Sequence, residues 1–545
     1  MIKEYELYQN GVAYNNSLEP SFYDEVDCNW DFVYSKQWRN AKLDSDKPAP
    51  VFNYLNRFAT FFIASIMSSN PKVKFASVVD DDTDDTDAII NSVWDEFADR
   101  VKLSQKASEA LWDGCVTGDY IGHMIFDVAK KPYDGKYGGT DGQIDFELVS
   151  PTNFYMANAN TNDVQGQKYI QVVGRALVSD LKEEQKEVGE LNEEISEDNN
   201  DDEQIGHYGE LEMEGEDSKK ATYVITYRKK DGKVYATKCT ESAYVYKNID
   251  TGCTMYPVSL GNWIQRRNTY HGHNFVTGLV DTQIFINKAF SAAMYHAMLQ
   301  SFPKFVYNPS LIAGYDPRVT AQYGVNLGPG QSINDVAGYI APANMSGDLM
   351  NMVELAKTYM QEAVGANDAL LGNVNPEQAS GTSIATASKQ AGIPLEIPMQ
   401  NMYNWYEDLG RIFLDMIAYK FGTRPVAITD GDNAEMQMYD FDQLQEMYKT
   451  PKVDVGPSSY WSELAEIQTL DNLLEREQID FIEYLDRLPE GFVRNKNGLI
   501  KKRKELQEKE SIRQQELAAL TPEAQNQYLS MKPEQQEMMM NATGI

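Results

Sequence analysis

Two imidazoles at alternate positions, His271-Gly-His273, are the nearest this chain comes to a metal chelate, because alternate strand residues face one side. Zinc needs a third ligand, which nothing nearby supplies, so the pair reads as two polar histidines. Asp430-Gly-Asp432 and Asp440-Phe-Asp442 have the residue types of a divalent-metal nuclease centre. In so acidic a chain, solvated loops explain them with less. The run Asp80–Asp87 fails as a calcium loop, since glycine is absent from its sixth position and Asn91 stands where a bidentate glutamate should close it. Lys501-Lys502-Arg503-Lys504 is a basic cluster, but Glu505, Glu508 and Glu510 follow, as on a charged helix face. No G-x-x-x-x-G-K-[ST], H-E-x-x-H or G-x-S-x-G occurs. No catalytic residue, cofactor or metal is therefore assigned, and the expectation is a protein that is not an enzyme.

Composition narrows the function classes further. Across 545 residues, 42% apolar and 11% aromatic content is that of a packed protein, despite a mean hydropathy of -0.51. At roughly 150 residues per domain the length allows three or four structural units. The 82 acidic against 49 basic residues leave a net charge of -33, which opposes a task of gripping phosphates. Cys28, Cys115, Cys239 and Cys253 form no C-x-x-C pair, which fits a reducing compartment. The opening MIKEYELYQN lacks a signal pattern, and Arg57 interrupts one apolar stretch while Asp281, Gln283, Asn287, Lys288 and His296 interrupt another. Neither export nor membrane insertion is expected.

The elements that would carry any site alternate between helix and strand. Phe52–Met67 has helical periodicity and is closed by Asn70-Pro71. A helix is predicted over Ala88–Cys115, passing through Val116-Thr117-Gly118-Asp119 into a strand, Tyr120–Asp127. Alternating patterns continue over Gln143–Met156, Lys168–Val178 and Ala221–Tyr246, the last with the hairpin signal Lys230-Asp231-Gly232. Between Asp180 and Asp217 lie seventeen acidic residues and two lysines, read as a surface insertion whose removal should leave the fold intact. Thr277–Phe302 would form a helix of about 39 Å, stopped by Pro303. A compact insert, Lys304–Ala343, precedes a second helix from Ser346 to Ala363. A loop, Gly365–Ser383, leads into a helical pattern over Ile384–Phe421, predicted to be broken at Pro394 and Pro398. Further helices, Ser462–Leu488 and Leu499–Leu520, lead into a Met- and Gln-rich tail.

In that order the segments resemble the portal proteins of tailed double-stranded DNA bacteriophages. Ala107–Asp127 (ASEALWDGCVTGDYIGHMIFD) is similar to the family's helix, glycine turn and strand, and Phe146–Tyr155 (FELVSPTNFY) to the strand and proline turn that follow. Tyr256–Lys304 resembles the entry into the first stem helix, with Tyr256-Pro257, Gly272, Gln283 and Asn287-Lys288 in order. Leu370–Pro394 (LLGNVNPEQASGTSIATASKQAGIP) resembles the segment that carries the tunnel loop into a kinked helix.

The resemblance implies a mixed α+β, predominantly helical subunit with wing, stem, clip and crown, assembled as a ring. It implies a wing over 1–270 that contains the acidic insertion 180–217, a first stem helix over 271–302, a clip over 303–345 and a second stem helix over 346–365. A tunnel loop over 366–383, a kinked helix and wing return over 384–460, and a crown and tail over 461–545 complete the chain. Asn373, Asn375, Glu377, Gln378, Ser380 and Thr382 would line the tunnel loop, and Tyr315 and Tyr323 of the clip would meet partners. Those partners would be eleven further copies in a 12-mer, the major capsid protein, the terminase motor, a head-tail adaptor and passing double-stranded DNA. The expected place is the portal vertex of the virion, after assembly in the host cytoplasm. An acidic wall would keep a duplex centred and mobile. The competing readings are a metal-dependent hydrolase or nuclease with clustered Asp and Glu, and another virion structural protein.

Overall fold

The computed structural model describes residues 2–39, 47–68, 71–77, 84–130, 142–189, 193–198, 219–301, 304–310, 327–330, 332–340, 347–365, 393–430, 433–445, 449–454, 470–474, 476, 478–488, 499–500 and 502–503. Within them the fold is mixed α+β. The chain divides into two compact units that do not follow chain order: residues 1–67, 102–127 and 144–420 form one, and 68–101, 128–143 and 421–545 the other. The longer helices are α1 (Lys3–Ser17), α2 (Phe22–Val33), α3 (Tyr54–Met67), α4 (Asp84–Arg100), α5 (Leu103–Thr117), α6 (Val178–Val188), α7 (Val280–Ser301), α8 (Gly347–Ala363) and α9 (Glu396–Lys420).

The alternating runs of the first unit pair into a five-stranded antiparallel sheet of Phe154–Met156, Tyr169–Leu177, Lys220–Lys230, Lys233–Cys239 and Tyr244–Asp250. Lys230 pairs with Lys233 across a two-residue loop in which Asp231 (φ 54°) and Gly232 (φ 79°) are both left-handed, the primed turn that matches strand twist. Period-two alternation gives the sheet two buried faces. Ile170, Val172 and Ile225 pack with Tyr256, Val258 and Tyr270 on one side, while Val173 and Val224 meet Tyr5 and Tyr8 of α1 on the other. A second sheet places Asp119–Asp127 between Gln143–Val149 and Val258–Asn262. Helix α9 covers it, with Trp405 buried edge-on to Tyr120 and Phe146. Asp415 on the same helix accepts the backbone N–H groups of Thr254 and Met255 at 2.8 and 3.0 Å, which fixes the chain as it enters that sheet.

In the second unit, α4 packs on a hairpin, Thr423–Asp430 with Asn433–Asp440, and on Lys72–Ser77, itself paired with Lys449–Asp454. The Asn91 amide bonds both backbone groups of Phe75, at 2.8 and 3.1 Å, and replaces ladder bonds that strand would otherwise lack. Phe75, Trp94 and Phe97 stack behind it.

Three expectations are corrected. The helix expected over Ala88–Cys115 is two helices, because Lys102 takes a left-handed φ of 53° and α5 starts anew after it. Pro398 does not break its helix: α9 begins at Glu396, so Pro398 falls in the first turn, where its missing N–H would have had no intrahelical partner. The acidic stretch is not wholly a surface excursion. Its first part forms α6, and Leu181 and Ile195 are buried with Ala221, Ala243 and Val245. Asp198 accepts the Thr222 N–H at 2.7 Å and lies 3.6 Å from the Arg175 guanidinium, so one carboxylate of the run holds the sheet edge. Composition alone hid these two apolar side chains among glutamates.

Leu181→Ala and Ile195→Ala should each destabilise the folded subunit by about 2–5 kcal/mol through lost burial and cavity formation. Chemical denaturation measures this, and wild-type midpoints for both variants would return the segment to the surface.

Candidate functional site: the polar seat of a long helix

Helix α7 has no single apolar face, and beside the buried Ile286 runs a buried polar line: Gln283 (0% exposed), Asn287 (2%) and Ser291 (5%) recur every four residues, one above another. Each meets the segment that follows α2. Gln283 donates to the Phe52 carbonyl at 2.6 Å and to Asn287 Oδ1 at 3.1 Å. Asn287 donates to Gln37 Oε1 and accepts the Phe52 N–H at 3.3 Å, and the Ser291 hydroxyl donates to the Pro48 carbonyl at 2.6 Å. Gln37 is held in turn by its bond to the Phe32 carbonyl, and Phe52 stacks on Phe290 at 4.2 Å. A one-turn slip of α7 would break this ladder and bury several amides without partners.

Below the ladder, the chain entering α7 is fixed to α2. Glu25 accepts from Asn274 at 3.1 Å and from the Thr277 hydroxyl at 2.7 Å, and Asn29 donates to Thr277 Oγ1 and to the Val116 carbonyl, both at 2.9 Å. The Asn274 carbonyl oxygen of its side chain accepts the Thr277 N–H at 2.8 Å, which caps the first turn.

Lower still lies Asp119, 1% exposed. Its Oδ1 accepts the Gly272 N–H at 2.6 Å and the Asn262 amide at 2.7 Å, and its Oδ2 faces His271 Nδ1 at 2.6 Å. The imidazole is sandwiched between Phe22 and Tyr270, at ring distances of 3.9 and 4.0 Å. His271 Nε2 lies 3.0 Å from the side-chain oxygen of Asn15 in α1. The same Asn15 oxygen accepts the Tyr270 hydroxyl at 3.4 Å, and the Asn15 amide nitrogen is buried with no hydrogen bond among the described residues. Gly118, at φ 100°, and Gly272 let two backbones touch here, since a Cβ on Gly118 would lie 2.7 Å from the Gly272 carbonyl oxygen. Burial first, and the Asp119 charge second, push the Tyr270 phenol well above its usual pKa, so it stays a neutral donor, to the Phe154 carbonyl at 3.3 Å.

What this constellation can do is hold α7 at one height and angle. The two histidines part company: His271 turns inward to Asp119, whereas His273 is exposed beside Arg266. Among the described residues no group of three His, Cys, Asp or Glu is placed to hold a metal. Gly272, Gln283 and Asn287 were singled out in the sequence, and the structure gathers them; Lys288 is exposed one residue on. Asp119, Asn15, Glu25, Asn29 and Gln37 were missed, for, apart from the local Gln37–Phe32 bond, their partners in the seat are 87 to 256 residues away along the chain and no local pattern marks them. Asn373, Asn375, Glu377, Gln378, Ser380, Thr382, Tyr315 and Tyr323 lie outside the described residues.

Above the seat, α7 packs against α8, whose buried residues are Val353 and Met360, two turns apart. One narrow seam therefore joins the helices. A family profile described as phage P22-like portal protein matches residues 13–543, nearly the whole chain. The chain belongs to that family. No curated protein matches it. It is thus a phage portal protein, a head-tail connector and virion component, and the polar seat belongs to a subunit of that connector. No described helix of this portal subunit is long and apolar enough to cross a membrane.

Replacing Asp119 by Ala should destabilise the portal subunit by about 3–5 kcal/mol, because it strands the buried Asn262 amide, the Gly272 N–H and the His271 ring at once. Asp119→Asn should lose less. Urea denaturation distinguishes them, and a loss within 1 kcal/mol for Asp119→Ala would show that these donors find other partners.

Proposed function

We propose that this protein forms a closed ring at one capsid vertex and that the helix pair α7–α8 supplies its subunit contacts. What carries the reading, beside the family, is unpartnered apolar surface. Met298 (50% exposed), Leu299 and Met294 on α7, with Met352, Leu355 and Tyr359 (58%) on α8, stand in solvent although a single seam already joins the two helices. Helices that are apolar outside their own interface bury that surface elsewhere. Repeated by rotation, a heterologous contact of this kind closes a ring, for which the family resemblance implies twelve copies.

In this reading α7 and α8 are the two stem helices, and the residues between them form the clip that docks the terminase and then the head-tail adaptor, with Tyr315 and Tyr323 as contacts. The loop of Asn373, Asn375, Glu377, Gln378, Ser380 and Thr382 lines the bore through which DNA is packaged and later ejected. Its amides and hydroxyls hydrogen-bond without a cation to hold phosphate, and the chain's net charge of -33 keeps the duplex from adhering. The polar seat sets the angle at which each stem leaves the subunit body. No reaction is assigned; the protein acts as a conduit and a docking ring.

Met298→Glu combined with Leu355→Glu should weaken assembly by roughly ten-fold or more while far-UV circular dichroism stays that of wild type. Native mass spectrometry reads this, and rings at wild-type concentration would place the contacts elsewhere. Separately, a Gln378→Cys subunit in packaging particles should crosslink to DNA. Failure beside a reactive bore control would remove the loop from the channel without touching the ring.

A further inference from the structure

Between the loop that follows the strand Phe154–Met156 and the loop 265–269 lies a concavity of about 370 Å³ whose walls are polar throughout: Asn160, Thr161 and Asn162 on one side, Gln265 to Thr269 on the other. It contains two adjacent guanidinium groups and no carboxylate. Arg39, Arg175, Arg228 and Arg411 each lie beside an Asp or Glu. Arg266 instead meets only the ring nitrogen of His273, at 3.3 Å, and Arg267 has no hydrogen bond or ion pair among the described residues. Burial, with the Arg266 charge second, holds His273 below the usual histidine range, so its neutral ring accepts from Arg266 and orients it.

The walls are fixed before any ligand arrives. Tyr270 N–H donates to the Ala159 carbonyl at 3.0 Å, tying one loop to the other, and an Ile264–His273 bridge closes the second loop around a left-handed Asn268 (φ 61°). Thr161 Oγ1 already accepts the Asp163 N–H and Thr269 Oγ1 the His271 N–H, so each hydroxyl has its proton left to give. Asp163, beside the concavity, accepts the Gly166 N–H and is not part of its walls.

We propose that this concavity is an anion site that takes a phosphate group. Two guanidinium forks with hydroxyl and amide donors match a tetrahedral anion with several acceptor oxygens, and the lack of apolar wall leaves nothing for a base or an acyl chain to rest on. The phosphate is either free inorganic phosphate or a phosphodiester of duplex DNA. The assignment goes beyond the ring reading and does not depend on it.

Full-length protein is titrated with inorganic phosphate, followed by phosphorus NMR line width, and with a short duplex at increasing salt. Wild type should broaden the phosphate line saturably, and an Arg266→Gln, Arg267→Gln double variant should bind at least about ten-fold more weakly. If the ligand is the DNA backbone, the double variant also lowers the slope of log affinity against log salt by about 1.8, two contacts at roughly 0.9 each. An unchanged slope with weaker phosphate binding identifies free phosphate. Phosphate protection of these arginines from phenylglyoxal in wild type, together with a milder Thr161→Val loss, decides the matter should the double variant misfold. Equal binding of both probes by wild type and double variant, no protection, or crosslinking of the two arginines to carboxylates of a neighbouring copy overturns the proposal.

Discussion

A carboxylate with both oxygens taken, deep inside protein, can stay there only while every donor around it stays in place. Asp119 joins α5, the strand it opens, the loop before α7 and, through His271 and Asn15, the N-terminal helix. Elements that are distant in sequence thereby share one electrostatic requirement. Desolvating a charge is costly enough that partial formation of this centre is worse than none. The amide ladder of Gln283 and Asn287 continues the logic upward with neutral groups, where hydrophobic contact alone would leave a smooth apolar helix free to slide. A buried polar line on a helix that also exposes Met294, Met298 and Leu299 departs from an ordinary surface helix. The buried line fixes position within the subunit, and the exposed apolar side chains play no part in that.

The sequence made much of this readable, and the unread parts have physical causes. The hairpin at Asp231-Gly232 was legible because its turn chemistry is local. So was the extent of α7, which begins after a short 3-10 turn at Thr277–Leu279 and runs to Ser301 against an expected Thr277–Phe302. Local signals failed where tertiary contacts decide. Nothing near Lys102 announces a left-handed residue, since lysine has no preference for it, and periodicity ran straight through the break. Pro398 was read as a breaker because the true start of α9 depends on what lies before Glu396. In the acidic stretch, net charge outweighed two apolar residues in the count, although burial of those two decides where the segment sits.

The site shows the same division. Gly272, Gln283 and Asn287 carried the family resemblance, and their environment gives that resemblance a physical content: a backbone close approach and two amides in a buried ladder. Their partners could not be read, because Asn15, Glu25, Asn29 and Gln37 look like any polar residues of a helix-rich N-terminus. The -33 charge, read first as a reason to keep phosphates away, acquires a local exception at Arg266 and Arg267, where the fold sets two cations in a hollow without a compensating acid.

The exposed apolar surface of α7 and α8 has a chemical character of its own. Three of its side chains, Met294, Met298 and Met352, are thioethers. Such flexible, polarisable groups adapt to an uneven partner surface better than branched aliphatics do. They are also the apolar side chains most open to oxidation, and each sulfoxide formed turns a contact that excludes water into one that attracts it. Exposed thioethers are thus open to peroxide, and a partner seated on them would shield the sulfurs. Association through that surface would in this sense be an antioxidant event.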